Sequence, residues 1–404
     1  MSSSRHIDNN APVYVKGHVD LQGSQFSPGV IQKLKAWIQS KTQHLLKAVN
    51  SNDTDYSVYT GKTGLAMLFL RLADTIYKGT SFEEELVKAA RSVCDSAQKF
   101  LRGKRITFLC GDAGPLALSA VLAHREGNEG NYNCCISELQ SMVDRCCNDS
   151  GLPDEMLYGR AGFLFSLLFV RKHCGNHAIA DSALSQVCQS IIKSGSTNAG
   201  VSHAGIPLKY EWHEKEYIGA AHGYLGILFQ LLHPDLLKLD VVQSSLNLIK
   251  ETLDIVIDMR FQSGNFPSSV GNNNDKLVQW CHGAPGAVNT LIRAYQVFSD
   301  AKYLDAAAKC CDVIWDRGLL LKGYGICHGT AGNAYAFLEM FKATKNEKYL
   351  YHALKFGEWC LEYGKHGCRV PDRPLSLYEG LAGTVYFLVD LTNPENAGFP
   401  GYEI

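Results

Sequence analysis

Two cysteine–histidine pairs carry the most distinctive chemistry in this chain. Trp280-Cys281-His282-Gly283-Ala284-Pro285-Gly286 and Ile326-Cys327-His328-Gly329-Thr330-Ala331-Gly332 share a Cys-His-Gly-x-x-Gly hexapeptide, repeated 46 residues apart. Thiolate sulfur and imidazole nitrogen are donors that zinc prefers. The glycines suit a tight turn leading into a helix. Neither turn alone can surround an ion, so the two must meet in space. Spacing leaves four candidate donors for one ion: Cys281, His282, Cys327 and His328. Three protein donors and one exchangeable position would make a catalytic zinc site; a fourth protein donor would make a closed, structural one.

The elements that bring such turns together are visible as a repeat. Gly-x-x-Gly occurs at Gly61/Gly64, Gly111/Gly114, Gly159/Gly162, Gly223/Gly226, Gly283/Gly286, Gly329/Gly332 and Gly380/Gly383. An apolar stretch follows each copy, from Leu65–Leu70 in the first to Val385–Val389 in the last. These stretches are too apolar all round for surface helices and too short to span a bilayer. They are predicted to be buried helices. Amphipathic helices are predicted between them, over Glu84–Leu101, Leu246–Met259 and Tyr303–Trp315. The unit is then a hairpin of an inner and an outer helix, with the glycine turn entering the inner one. Seven hairpins can form an open solenoid or a closed ring. The first and last units are as apolar as the rest, which favours closure, because a ring needs no capping repeats. Most of the glycines are expected to serve only packing and the turn. All turns would lie at one end of a ring, so His222, Cys281, His282, Cys327, His328 and Glu379 would converge on one basin.

Bulk properties narrow the function classes. With 404 residues, 46% of them hydrophobic, the chain can bury a large core. Length alone suggests two or three domains. The end-to-end repeat argues instead for one, over residues 51–404, preceded by an extension, 1–50, that is helical from about Ser27 to Ala48. The net charge of −1, with both signs evenly mixed, argues against nucleic acid or an acidic membrane surface as an obligate partner. No apolar run is long enough to cross a membrane. The start, Met1-Ser2-Ser3-Ser4-Arg5-His6, has no apolar signal core, and serine at position 2 excludes N-myristoylation. Fourteen cysteines could suggest a disulfide scaffold. Adjacent pairs such as Cys134-Cys135, Cys146-Cys147 and Cys310-Cys311 suit reduced, buried thiols better in a chain of this length. The expected location is the reducing cytoplasm, with part of the pool peripheral at the plasma membrane.

Further motifs sit in the other turns: Phe108-Leu109-Cys110-Gly111-Asp112-Ala113-Gly114, Glu155-Met156-Leu157-Tyr158-Gly159-Arg160, Ala220-Ala221-His222-Gly223 and Leu377-Tyr378-Glu379-Gly380-Leu381-Ala382-Gly383. With them, the chain resembles the lanthionine synthetase C-like family, and most of all its eukaryotic LanC-like members, from about residue 55 onward. The resemblance implies an all-α fold, an α/α toroid of two concentric seven-helix layers. It implies one zinc ion held by Cys281, Cys327 and His328, with His282 beside the metal rather than on it. It also implies glutathione binding at Lys322 and at Arg369, Val370, Pro371 and Asp372. In bacterial relatives a histidine at the His222 motif works with an acid of the preceding repeat, for which Glu155 is the nearest match.

These residues suit one kind of reaction. Two cysteinates and a neutral imidazole neutralise Zn²⁺ and leave one position open. A thiol entering it loses its proton and, on a complex that becomes anionic, keeps its nucleophilicity. Conjugate addition to an unsaturated acceptor then needs a proton donor, for which His222 is the candidate. Arg369 can bind a carboxylate through two hydrogen bonds, and Lys322 offers a point charge near the metal. The expected function is therefore addition of the glutathione thiol to electrophiles. The acceptor would be a dehydroalanine or dehydrobutyrine residue in a protein, or a small molecule as in glutathione S-transferase chemistry. The alternative is a glutathione-responsive scaffold without turnover, whose partners would be signalling proteins.

Overall fold

The computed structural model describes residues 5–49, 54–200 and 205–404. The sequence start at Met1–Ser4 and the boundary expected at residues 50 and 51 lie outside the described residues. A short hairpin of β1 (Leu21–Gln22) and β2 (Gln25–Phe26) opens the chain. The rest is helical: α1 (Pro28–Ala48), α2 (Lys62–Asp74), α3 (Ser81–Gln98), α4 (Ala113–Arg125), α5 (Glu129–Asn148), α6 (Arg160–Cys174), α7 (Asp181–Gly200), α8 (Tyr224–Leu231), α9 (Asp240–Gln243), α10 (Leu246–Asp258), α11 (Ala284–Phe298), α12 (Ala301–Arg317), α13 (Thr330–Thr344), α14 (Glu347–Leu361) and α15 (Leu381–Leu391).

Two layers follow from the apolar pattern. Helices α2, α4, α6, α8, α11, α13 and α15 are buried on nearly every side. Each packs on the next, and α15 returns to α2, so the ring is closed. The amphipathic helices α3, α5, α7, α10, α12 and α14 each cover the inner helix before them. The last inner helix has no such partner after it. Helix α1 takes that place and packs against α15 through an apolar stripe that includes Leu34, Ile38 and Leu45. Residues 5–7 continue the same closure by pairing with Leu319–Leu321. The fourteen cysteines are all unbridged, but the expected burial of the adjacent pairs holds only for Cys135, Cys146, Cys310 and Cys311; Cys134 is exposed, and Cys147 is half-buried.

The glycine turns have a steric cause. A Cβ on Gly332 would lie 1.7 Å from the carbonyl oxygen of Ile326, six residues back. On Gly64 it would lie 2.3 Å from that of Val58. The same collision, with the carbonyl six residues earlier, recurs at the second glycine of the other five turns. Each inner helix therefore starts directly against the extended chain that leads into it. Gly283 adds a backbone requirement, with φ at +116°.

After α15 the chain turns at Pro394–Asn396 and enters the ring. Phe399 stacks on Trp280 and packs against Tyr335, while Tyr402 stacks on Phe229. Both side chains are fully buried.

Gly332→Ala is expected to cost about 3 kcal/mol or more, because the methyl group meets backbone rather than a movable side chain. Gly29→Ala, with open space around it, should change stability by less than about 0.5 kcal/mol. Denaturant unfolding of the two variants checks the contrast; equal stabilities would show that the turns are looser than their geometry.

Candidate active site

Each turn sorts its residues by distance from the first glycine. Three positions before it stand Val58, Phe108, Met156, Ala220, Trp280, Ile326 and Leu377, all buried. Two positions before it stand Tyr59, Leu109, Leu157, Ala221, Cys281, Cys327 and Tyr378. Backbone hydrogen bonds join this second set around the ring. The Cys281 N–H donates to Cys327 O (3.2 Å), Cys327 to Tyr378 (2.9 Å), Tyr378 to Tyr59 (3.1 Å) and Tyr59 to Leu109 (2.9 Å). Immediately before the glycine stand Thr60, Cys110, Tyr158, His222, His282, His328 and Glu379. Every one of these is half-buried, at the open end of the ring.

This register brings three of the sequence-predicted donors together. The donor atoms of Cys281, Cys327 and His328 all lie within 4.8 Å of one another. His282 is outside that group, and its Nδ1 is buried without a partner. The Tyr59 hydroxyl donates to Cys327 Sγ at 2.8 Å, and Gln279 Nε2 donates to Cys281 Sγ at 3.2 Å. The neighbouring thiols are pulled in opposite directions. The hydrogen bond from Cys327, aided by His328 and His282, pulls Cys281 well below the usual thiol range. Burial and the neighbouring Cys281 push Cys327 well above it. Burial also lowers His282 and raises Tyr59, so the imidazole favours its neutral form and the phenol stays a donor.

His222 sits beside this group. Its ring centre is 6.2 Å from that of His282, and its Nδ1 is 2.6 Å from Glu155 Oε2. Glu155 is buried and also accepts the backbone N–H groups of Leu157 (3.0 Å) and Tyr158. Nδ1 is thus occupied and Nε2 is left for the basin. Tyr158 lies nearly parallel to the His222 ring at 6.3 Å, with the Arg105 guanidinium 4.7 Å from its centre. Burial, with Cys110 nearby, pushes the Tyr158 phenol up to about 12.

The residues expected to bind glutathione lie on the same side as turn six. Lys322 is exposed, and its charge reaches Cys327 and His282. The Arg369 N–H donates to Leu321 O at 2.9 Å, which holds that loop beside Lys322. The Arg369 guanidinium pairs with Asp372 at 2.8 Å, both exposed. Val370 is 75% exposed and Pro371 half-buried. Glu379 shares the turn register, and its N–H is bonded to Ser376 Oγ (3.3 Å).

Two cavities matter for chemistry in different ways. One, about 810 Å³, lies between residues 7–12, α1 and α14 and holds none of the turn residues. A second, about 650 Å³, is lined by Tyr59, Thr60, Cys110 and Tyr158 and so adjoins the thiol cluster. We take the second as relevant because Tyr59 touches both it and Cys327.

Tyr59, Gln279 and the C-terminal floor were not foreseen from sequence. Tyr59 could have been found, because it holds in turn one the place that Cys281 and Cys327 hold in theirs. The floor had no comparable signal. Phe399 packs under Trp280, next to Cys281, and the Tyr378 hydroxyl donates to Pro400 O at 2.7 Å. Phe399→Ala should cost about 3–5 kcal/mol and loosen the two thiols. Denaturant unfolding and the rate of thiol labelling in metal-free protein would register both; unchanged labelling would show that the floor does not position the site.

Comparison with known proteins agrees with this construction. Residues 52–404 match the lanthionine synthetase C-like protein family. A Danio rerio protein named glutathione S-transferase LANCL1 is 41% identical over the full length of both chains. An Arabidopsis thaliana protein named LanC-like protein GCL1 is 35% identical across 87% of this chain and 82% of its own. Nisin cyclase superposes with a TM-score of 0.70 over 90% of this chain and 95% of that one, at 14% identity, a likeness of fold alone. With its closed ring of seven glycine turns, the chain belongs to the lanthionine synthetase C-like family.

Proposed function

We propose that this chain is a zinc-dependent enzyme that binds glutathione and adds its thiol to an electrophile, a dehydroalanine or dehydrobutyrine residue or a small molecule. The single observation that carries the reading is the three-donor cluster of Cys281, Cys327 and His328 beside the His222–Glu155 pair. A full-length relative named as a glutathione S-transferase supports thiol addition in general. The scaffold alternative has no comparable support.

The donor set fits zinc. Two sulfurs and an imidazole lie close enough for one ion, and both sulfurs already accept hydrogen bonds that favour the thiolate form. Zinc held by Cys281, Cys327 and His328 would lower the pKa of an incoming thiol. The remaining steps belong to the chain. Lys322 and Arg369 bind the carboxylates of glutathione, with Arg369 exchanging or sharing its bond to Asp372. Val370 and Pro371 form the adjacent loop surface. The sulfur forms its bond to the acceptor's β-carbon, and the electron pair moves onto the acceptor carbonyl as an enolate. His222 gives its Nε2 proton to the α-carbon. Glu155 holds the opposite nitrogen and stabilises the charged imidazolium before transfer.

The test uses purified, zinc-loaded protein with glutathione and a dehydroalanine peptide, read by mass spectrometry and metal analysis. Cys327→Ala should lose both zinc and adduct. His222→Asn should keep zinc and slow addition by roughly 10²- to 10⁴-fold. Full adduct formation by metal-free Cys327→Ala would overturn the proposal.

A further inference from the structure

The second cavity has an electrostatic character that the proposed chemistry does not use. It is walled by turns one and two and reaches Tyr158 of turn three and Arg373 before turn seven. Three cations line it on the loop before turn two, Arg102, Lys104 and Arg105, and Arg373, which is engaged elsewhere, borders it. Among the described residues two carboxylates line it, Asp112 and Asp55, and both are engaged. Asp112 accepts the N–H groups of Arg102 (3.0 Å) and Gly103 (2.6 Å). Asp55 accepts from the Ser57 N–H (2.9 Å) and the Thr60 hydroxyl (2.6 Å).

The loop that carries three of the cations is fixed from both sides. Asp112 holds its N–H groups. Arg145 of α5 holds its carbonyls, through Gly103 O and Lys104 O (2.8 Å). The backbone is therefore set, while Arg102 and Lys104 stay exposed. Arg105 is also exposed, its guanidinium against the Tyr158 ring. Preorganised cations at a concave surface favour an anionic ligand and steer its approach.

Position selects which ligand. The cavity adjoins the thiol cluster through Tyr59 and the proton donor through Tyr158. Its cations Arg102, Lys104 and Arg105 precede turn two, whereas Lys322 precedes turn six; Arg373 is where the cavity meets the Arg369–Asp372 segment assigned to glutathione. We propose that this cavity binds acidic side chains flanking the electrophilic residue of an acceptor polypeptide. The inference rests on the thiol-addition reading and deepens it.

Three dehydroalanine peptides test it, identical but for flanking Glu, Gln or Lys. At low salt the Glu peptide should have a kcat/KM roughly five- to tenfold above the Gln peptide. Salt near 1 M, where the Debye length is about 3 Å, should erase most of that advantage. The double variant Arg102→Glu/Lys104→Glu should favour the Lys peptide and leave the KM for glutathione as it was. A second arm follows binding of a fluorescent Glu peptide with alanine in place of dehydroalanine. Binding that weakens in the double variant, even without turnover of any peptide, would uphold the cavity and sink only the chemistry. Equal kcat/KM for the three peptides would overturn the inference, as would a double variant whose effect falls on the glutathione KM.

Discussion

The fold depends on a contact that only a hydrogen atom can occupy. At the second glycine of each turn, the carbonyl oxygen six residues back stands 1.7–2.3 Å from where a Cβ would be. This closeness presses the extended chain against the start of the inner helix. The residue two before the first glycine can then reach a neighbouring turn, and four such links run in series from Cys281 to Leu109. With larger residues at the glycines, the inner helices would stand further from their entering strands and the turns would part.

Once the turns are joined, chemistry reduces to a choice of side chain at two positions. The inner of the two gives Cys281 and Cys327, adjacent because their backbones are bonded to each other. The outer gives His222, His282 and His328 on turns four to six, and Thr60, Cys110 and Tyr158 on turns one to three. One half of the basin thus holds imidazoles and sulfurs. The other half holds hydroxyls and a thiol and opens toward cations. The same scaffold can carry different reactions by changing these positions, because the glycine contacts beneath them stay the same.

Much of this was readable in the sequence, for physical reasons. Glycine spacing and apolar runs are local signals, and they specified seven inner helices and the basin. Helix ends shifted little: α3 stops at Gln98 rather than Leu101, and α10 and α12 lie within two residues of their expected ends. The role of α1 was not readable, because pairing with α15 joins the two ends of the chain and leaves no mark at short range. Glu155 was a candidate acid, and its carboxylate does lie 2.6 Å from His222. Its burial and its bonds to two backbone N–H groups needed the folded turn. Arg369 looked available for a ligand in sequence, yet its guanidinium is already paired with Asp372.

The electrostatics of the site suit a divalent cation, as the proposed function requires. Cys281 and Cys327 are both buried, and burial of two thiolates without compensation is strongly unfavourable. The opposite pulls on the two thiols, Cys281 down and Cys327 up, reflect this cost. Yet the Tyr59 hydroxyl and the Gln279 amide are aimed at the two sulfurs as donors, an arrangement suited to thiolates rather than thiols. His328 stands as a third donor within the same 4.8 Å. A monovalent ion would leave one negative charge uncompensated in a buried place. A divalent ion would balance both thiolates. Below the sulfurs, Trp280 and Tyr378 rest on Phe399 and Pro400. The floor is aromatic and buried, so the cavity above is the side from which a thiol or an acceptor can approach.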